Sequence, residues 1–107
     1  MAAGERLTIG EVTVDPDRHE VTVSGEHVTM PLKEFALLEY FLRHPNRVLS
    51  RTAIGEHVWD MNFEPDSNVI DVYVSMLRRR IDKGFDRRFI HTVIGAGYML
   101  SAEPPNG

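Results

Sequence analysis

The sequence has 107 residues, a hydrophobic fraction of 42%, no cysteine and a formal net charge of −4 at pH 7. This length and composition predict one globular domain with a single core, and they exclude a disordered chain, disulfide bonds and thiolate metal sites. No apolar run reaches the roughly 18 residues that a membrane-spanning helix needs, and no signal-peptide pattern opens the chain, so we expect a cytoplasmic protein with no membrane partner.

We assign residues 7–101 to the folded domain and place both ends of the chain outside it. Residues 1–6 are typical of a linker or a cloning remnant. Residues 102–107, which include Pro104 and Pro105, are expected to form a flexible tail.

Alternating apolar residues near the N-terminus predict an antiparallel β-meander of three strands. The first two strands carry the alternating residues Leu7, Ile9, Val12, Val14, Val21 and Val23. Asp15-Pro16-Asp17 is the predicted turn between these runs, and Ser24-Gly25-Glu26 is the next turn. Residues 27–30 are then the third strand.

The hydrophobic period changes after Pro31, which predicts the first helix. Its apolar face consists of Phe35, Leu38, Phe41 and Leu42. Pro31 suits the first helical turn, where a missing N–H costs nothing. His44-Pro45-Asn46 ends the helix, because proline disfavours α geometry in the residue before it.

A second helix is predicted from Ser50, as its N-cap, to Trp59. Gly55 inside this helix costs about 1 kcal/mol relative to alanine, so the helix depends on packing against the rest of the domain. Residues 60–66 show no period and are predicted to form a loop.

Ser67 or Asn68 caps a third predicted helix, which Gly84-Phe85-Asp86 ends. Its buried stripe consists of Ile70, Val74, Leu77 and Ile81, at helical spacing. Its opposite face mixes apolar and basic groups, namely Val69, Val72, Tyr73, Met76 and Arg80.

Residues 89–93 and 98–100 are predicted to form a β-hairpin around Ile94-Gly95-Ala96-Gly97, whose glycines permit the positive φ of a tight turn. A basic last helix followed by a hairpin is typical of a winged helix–turn–helix. The predicted fold class is therefore α+β, with an N-terminal antiparallel β-sheet, three helices and a C-terminal β-hairpin wing.

The charge is distributed unevenly along the chain. Between Ser75 and His91 lie six basic and two acidic residues, a local net charge of +4. Eight acidic residues lie between Glu5 and Glu39, against three basic ones. This asymmetry favours one side that faces an anionic partner such as DNA, although a solvated helix end would give the same pattern.

Six motifs in order make the chain resemble the OmpR/PhoB family of response-regulator effector domains from about Leu7 to Leu100. They are PLKEFALLEY at 31–40, RVLSR at 47–51, HVW at 57–59, NVIDVYV at 68–74, LRRRID at 77–82 and TVIGAGY at 92–98. The resemblance implies a four-stranded N-terminal sheet, so a fourth strand is expected near residues 28–32. It also implies a third helix that enters the major groove of DNA, and a wing that reaches the adjacent minor groove. Residues 58–63 also resemble the copper- and heavy-metal-responsive subgroup.

The resemblance implies a set of phosphate-contacting residues: Arg51, Trp59, Asn68, Tyr73, Ser75, Arg78, Thr92, Gly95 and Tyr98. Their chemistry fits, because arginine cations, hydroxyl groups and N–H donors all bind phosphate oxygens. Trp59 and Tyr98 have a structural alternative as core residues, and Gly95 has one as a turn glycine.

The base- or groove-facing positions implied by the resemblance are Val69, Val72, Met76 and Ile94. Two of them depart from the family, in which arginine is common at the position of Met76 and nearly general at that of Ile94. Because arginine is the usual bidentate reader of guanine and enters narrow minor grooves, we expect an altered sequence preference and a weaker salt dependence.

Met61, Phe63 and Glu64 lie in the loop that resembles the family's docking surface for RNA polymerase. Packing of Phe63 on the core is the equal alternative. The five histidines show no metal-ligand spacing, and no nucleophile–base pair is present, so we expect no metal, no cofactor and no enzyme activity.

The resulting hypothesis is a transcription regulator that binds double-stranded DNA as a homodimer. A receiver domain outside these 107 residues, which a cognate sensor kinase phosphorylates, would control it. The alternative is a protein-interaction module on the same fold with weakened DNA binding.

Overall fold

A computed structural model describes residues 5–59, 68–82 and 88–102. The chain begins with the strands β1 (Leu7–Ile9), β2 (Val12–Asp15), β3 (Glu20–Val23) and β4 (Glu26–Val28). It continues with α1 (Leu32–Arg43), β5 (Val48–Leu49), α2 (Arg51–Ile54) and α3 (Val69–Ile81). It ends with β6 (Ile90–Val93) and β7 (Gly97–Leu100).

The N-terminal sheet is antiparallel, with the strand order β1-β2-β3-β4. The prediction of three strands was wrong, because β1 and β2 form a hairpin within the single run expected before Asp15. Gly10, with a φ of +54°, lies in the turn that divides this run. The extra strand is therefore at the start of the sheet, and not near residues 28–32.

The first helix packs on this sheet and provides much of the core. Its predicted face is confirmed, since Phe35, Leu38, Phe41 and Leu42 are all buried. Pro31 is the extended N-cap residue, and the helix begins at Leu32. Glu34 in the first turn is also buried, which the apolar period did not indicate.

The second helix has the predicted N-cap, because the Ser50 side chain accepts a hydrogen bond from the Ala53 N–H. The chain widens at Gly55 into a π-helical turn that runs to Trp59. Ile54 and Val58 are buried, so this short helix is stabilised by packing, as expected.

The third helix buries the predicted stripe of Ile70, Val74, Leu77 and Ile81. Asn68 is its N-cap residue, although its side chain makes no capping hydrogen bond. Helix α3 ends at Ile81, whereas the predicted end signal Gly84-Phe85-Asp86 lies outside the described residues.

The C-terminal hairpin is confirmed, with Thr92 opposite Tyr98 in the pair β6–β7. Strand β5 was not predicted, and it joins β7 to make a three-stranded sheet in the order β5-β7-β6. This strand fixes the start of α2 beside the wing, since Leu49 pairs with Tyr98 and Ser50 follows at once.

Some predictions concern residues that the structure does not describe. The ends at 1–4 and 103–107 and the segments 60–67 and 83–87 lie outside them, so the domain boundaries stay a prediction. Within the described residues no helix is long and apolar enough to cross a membrane.

An ion pair with a buried carboxylate joins α1 and α3. Arg80 Nε on α3 donates to Glu34 Oε1 on α1 at 2.5 Å, and Arg80 Nη1 donates to the Thr29 carbonyl at 3.0 Å. The Glu34 side chain is 1% exposed and that of Arg80 is 37% exposed. A carboxylate buried this deeply depends on its cation, because water cannot replace the lost partner.

We expect Arg80→Ala to lower the free energy of unfolding by about 2–3 kcal/mol, because it leaves the Glu34 carboxylate buried without its cation. Arg79→Ala is the matched control, since Arg79 is exposed and forms no ion pair with any described residue. We expect a change within about 0.5 kcal/mol for this control. Urea denaturation measures both values, and equal effects would contradict the structural role of the pair.

Gly97 lies where β7 approaches β5 closely. A Cβ atom at Gly97 would be 2.1 Å from the Leu49 carbonyl oxygen, and φ is +145°. We expect Gly97→Ala to cost at least about 3 kcal/mol in thermal or urea unfolding, because backbone must move.

Gly95→Ala is the control for this prediction, because its added Cβ would meet open space and only its φ of +80° is unfavourable. We expect this change to cost about 1–2 kcal/mol. A Gly97→Ala variant that is no less stable than Gly95→Ala would show that β5 does not approach the wing in this way.

Candidate nucleic-acid interface

Helix α3 presents an exposed stripe directly opposite its buried stripe. The exposed residues are Asn68, Val72, Ser75 and Arg79. They have the same spacing as the buried stripe but begin two residues earlier, which is about 200° around the helix. Val72 is apolar and yet 45% exposed. This face therefore offers an apolar contact as well as polar ones.

The three predicted base-facing residues of α3 differ in their exposure. Val72 points outward, whereas Val69 and Met76 are half-buried, and Val69 packs against the core. Of the predicted phosphate-contacting residues on this helix, Asn68 and Ser75 are exposed and Tyr73 is half-buried.

The Asp71 carboxylate joins α2, α3 and the wing. It lies in the first turn of α3 and accepts hydrogen bonds from the Arg51 guanidinium and from the Tyr98 hydroxyl. Burial raises the pKa of the Tyr98 hydroxyl, and the hydrogen bond to Asp71 and the charge of Asp71 raise it further. Two predicted phosphate-contacting residues are thus held by a residue that the sequence did not single out.

Arg78 is fixed against the wing. Its Nε donates to the Ile90 carbonyl at 3.1 Å, and its Nη2 donates to Thr92 Oγ1 at 2.7 Å. Its guanidinium also lies 5.6 Å from the centre of the Tyr98 ring. Burial lowers the pKa of Arg78, and the charge of Arg88 lowers it further. Arg78 therefore has a structural role, which is to hold α3 against the wing. Its role as a phosphate-binding cation stays a prediction.

Trp59 and Tyr73 pack edge to face, with ring centres 5.1 Å apart. Lys33 Nζ lies 5.8 Å from the centre of the Trp59 ring and donates to the Val58 carbonyl at 3.1 Å. These contacts fix the end of the π-helical turn against α3, and they support the expectation that Trp59 packs with its ring.

The tip of the wing is the most exposed apolar point in the described residues. Ile94 is 94% exposed, and Gly95 beside it has a φ of +80°. A cleft of about 250 Å³ separates the wing from the start of α2, with Arg51 on one side and residues 92–98 on the other. The structure therefore brings Arg51, Thr92, Gly95 and Tyr98 to one cleft.

Arg79 is a residue that the sequence analysis did not select. It lies on the exposed stripe of α3 and has no ion-pair partner among residues 5–59, 68–82 and 88–102. The helical period could have indicated it, because Arg79 is four residues after Ser75 and seven after Val72.

The predicted polymerase contacts Met61, Phe63 and Glu64 lie outside the described residues. In the part of the chain that is described, no group of three or more histidine, aspartate or glutamate side chains could hold a metal ion.

Comparison with known proteins gives a consistent family match. Residues 25–100 match the family described as "Transcriptional regulatory protein, C terminal". The chain is 50% identical over 102 residues to the transcriptional regulatory protein CusR of Escherichia coli strain K12, covering 95% of this chain and 44% of CusR. It is 41% identical over 99 residues to the response regulator MprA of Mycobacterium avium strain 104, covering 92% of this chain and 43% of MprA. The chain thus spans less than half the length of these relatives.

Solved structures share the fold. The crystal structure of the DNA-binding domain of CpxR from E. coli is 28% identical, with a TM-score of 0.81, and the match covers 92% of this chain and 98% of that domain. The Klebsiella pneumoniae RstA DNA-binding domain, in complex with the RstA box, has a TM-score of 0.83 at 23% identity, with coverage of 92% and 99%.

We expect Tyr98→Phe to remove one hydrogen bond to a charged acceptor and to cost about 1.5 kcal/mol at neutral pH. The unfolded tyrosine ionises near pH 10, and the folded one ionises higher because its pKa is raised. Above about pH 10 the unfolded state therefore binds fewer protons, and the stability of the wild type falls with pH.

This alkaline loss should be smaller in Tyr98→Phe, as measured by urea unfolding between neutral pH and pH 11. Tyr40→Phe is the control, because no hydrogen bond of its hydroxyl is part of this network. An identical alkaline slope in wild type and Tyr98→Phe would contradict the role of the Tyr98–Asp71 bond.

Proposed function

This chain belongs to the family of C-terminal effector domains of OmpR/PhoB-type transcriptional regulators, and we propose that it binds double-stranded DNA sequence-specifically to control transcription. The observation that carries the proposal is the exposed stripe of α3 next to the exposed wing tip. A helix of this kind fits the major groove, and a hairpin at its side reaches the neighbouring minor groove.

The proposed phosphate contacts surround this stripe: Arg51, Trp59, Asn68, Tyr73, Ser75, Arg78, Thr92, Gly95 and Tyr98. Several are fixed before DNA arrives, because Arg51 is held by Asp71 and Arg78 by Thr92 and Ile90. A fixed cation loses less side-chain freedom on binding, which favours affinity. The amide of Gly95 and the hydroxyl groups add neutral donors for phosphate oxygens.

The proposed base and groove contacts are Val69, Val72, Met76 and Ile94. Val72 and Ile94 are the most exposed of them and therefore the best placed to touch DNA. Apolar side chains recognise the thymine methyl group or a groove wall, and they supply no charge. We therefore propose a sequence preference that depends more on apolar contact and DNA shape than on arginine–guanine pairs.

The proposal for the longer protein follows the family. A receiver domain, phosphorylated by its sensor kinase in the cytoplasm, would promote homodimer formation on DNA, and RNA polymerase would contact Met61, Phe63 and Glu64. CusR is named a transcriptional regulatory protein and MprA a response regulator, which supports a regulatory role here.

Fluorescence anisotropy with random-sequence DNA duplexes at low and at physiological salt tests the proposed function. We expect binding that weakens as salt rises, because counterions are released when cations neutralise phosphates. Absence of binding at low salt would reject DNA binding and leave the protein-interaction module as the function of this fold.

We expect the double substitution Met76→Arg and Ile94→Arg to raise DNA affinity and to steepen the salt dependence by about two phosphate equivalents. Two new cations would be placed on the helix and at the wing tip. Met76→Gln with Ile94→Gln is the matched control, since it adds polarity without charge. The prediction fails if the arginine variant has the affinity and the salt slope of the wild type.

A further inference from the structure

A groove of about 870 Å³ lies beside the C-terminal half of α3. The described residues that line it are Val28, Met76, Arg78, Arg79, Arg80, Asp82 and Arg88. Four of these residues are arginines and only Asp82 is acidic, so the groove is positively charged and suits an anion.

Two of the four arginines already have partners inside the protein. Arg78 is bonded to Ile90 and Thr92, and Arg80 is bonded to Glu34 and Thr29. Arg79 and Arg88 are exposed, and no described carboxylate pairs with either. These two guanidinium groups therefore remain available to a ligand.

The charges in the groove are close enough to interact. After burial, the charge of Arg88 is the next cause that lowers the pKa of Arg78, and the charge of Asp82 opposes it. Burial raises the pKa of Asp82, and the charges of Arg78 and Arg88 oppose this rise. One carboxylate thus faces several cations, so the local charge still favours an anion.

The position of Arg79 favours a DNA phosphate as the anion. Arg79 follows Val72 by seven residues on the same face of α3, which is about 10 Å along the helix axis. The major groove is about 12 Å wide, so if α3 crosses the groove with Val72 over the base edges, Arg79 reaches the rim of the groove, where the phosphates are. A flexible arginine at the rim contacts the backbone rather than a base.

We propose that Arg79, the last residue of the exposed stripe, and Arg88 form a second phosphate-binding site for the same DNA duplex, at the rim of the major groove. The inference rests on the proposed function. This site supplies charge that Met76 and Ile94 do not, and it adds two cations to the predicted phosphate set.

The test compares Arg79→Gln, Arg88→Gln and the double variant with wild type in anisotropy titrations. The probes are an A·T-rich and a G·C-rich duplex, each at several salt concentrations. We expect the negative slope of log affinity against log salt to become shallower, by about one for each single variant and by about two for the double variant. We also expect the same fold-loss of affinity on both duplexes, because phosphates carry no sequence information.

Arg43→Gln is the matched control, because it removes the same charge from the far end of α1, where Arg43 pairs with Glu39 at 2.8 Å. Thermal unfolding verifies that every variant is folded. If wild type binds duplexes but the double variant behaves as Arg43→Gln does, the second site is rejected and the proposed function stands. A loss confined to one duplex also rejects it, since it would indicate base recognition. If wild type binds neither duplex, the proposed function itself is rejected.

Discussion

The carboxylate of Asp71 accepts hydrogen bonds from Arg51 and from Tyr98, and through them one side chain connects α2, α3 and the wing. A recognition helix and a wing can bind two neighbouring grooves together only if the distance between them is fixed. The close approach of Gly97 to Leu49 holds β7 against β5, and the hydrogen bond from Arg78 to Ile90 holds α3 against β6. These contacts also fix the wing relative to the helices. The surface that is proposed to face DNA is therefore already formed in the free protein.

This arrangement indicates how a chain with a net charge of −4 would present cations to a polyanion. Several basic side chains near α3 are used within the fold: Arg51 is paired with Asp71, Arg78 is bonded to the wing and Arg80 is paired with Glu34. These contacts hold the guanidinium groups in place. Arg79 and Arg88, which have no ion-pair partner among the described residues, are proposed to add two further phosphate contacts. The position of each charge matters more than the net charge of the chain, because salt screens the interaction between distant charges.

The fold could be predicted from the sequence where long periodic segments carry the signal. The stripe from Ile70 to Ile81 and the face of α1 repeat over three turns, and both were predicted correctly. Short elements do not repeat. Strand β5 has two residues, and the β1–β2 turn at Gly10 lies inside an alternation that continues on both sides of it.

The site could be predicted less completely, because its organisation depends on polar pairs between distant residues. Asp71 and Tyr98 are 27 positions apart, and Arg80 and Glu34 are 46 apart, so no local pattern indicates that they meet. The family resemblance supplied Arg51, Arg78 and Tyr98, but not the acid that holds two of them. It also gave no indication of Arg79, whose position on the exposed stripe follows from the helix itself.

We propose that one preformed surface, made by α3 and the wing tip, faces DNA. Backbone amide NMR spectra of the 107-residue chain, recorded while a DNA duplex is added, test this most directly. We expect shifts that concentrate on the exposed stripe from Asn68 to Arg79 and on the turn at Ile94 and Gly95, with β1–β4 unchanged. Shifts confined to β1–β4, with α3 and the wing tip unaffected, would contradict it.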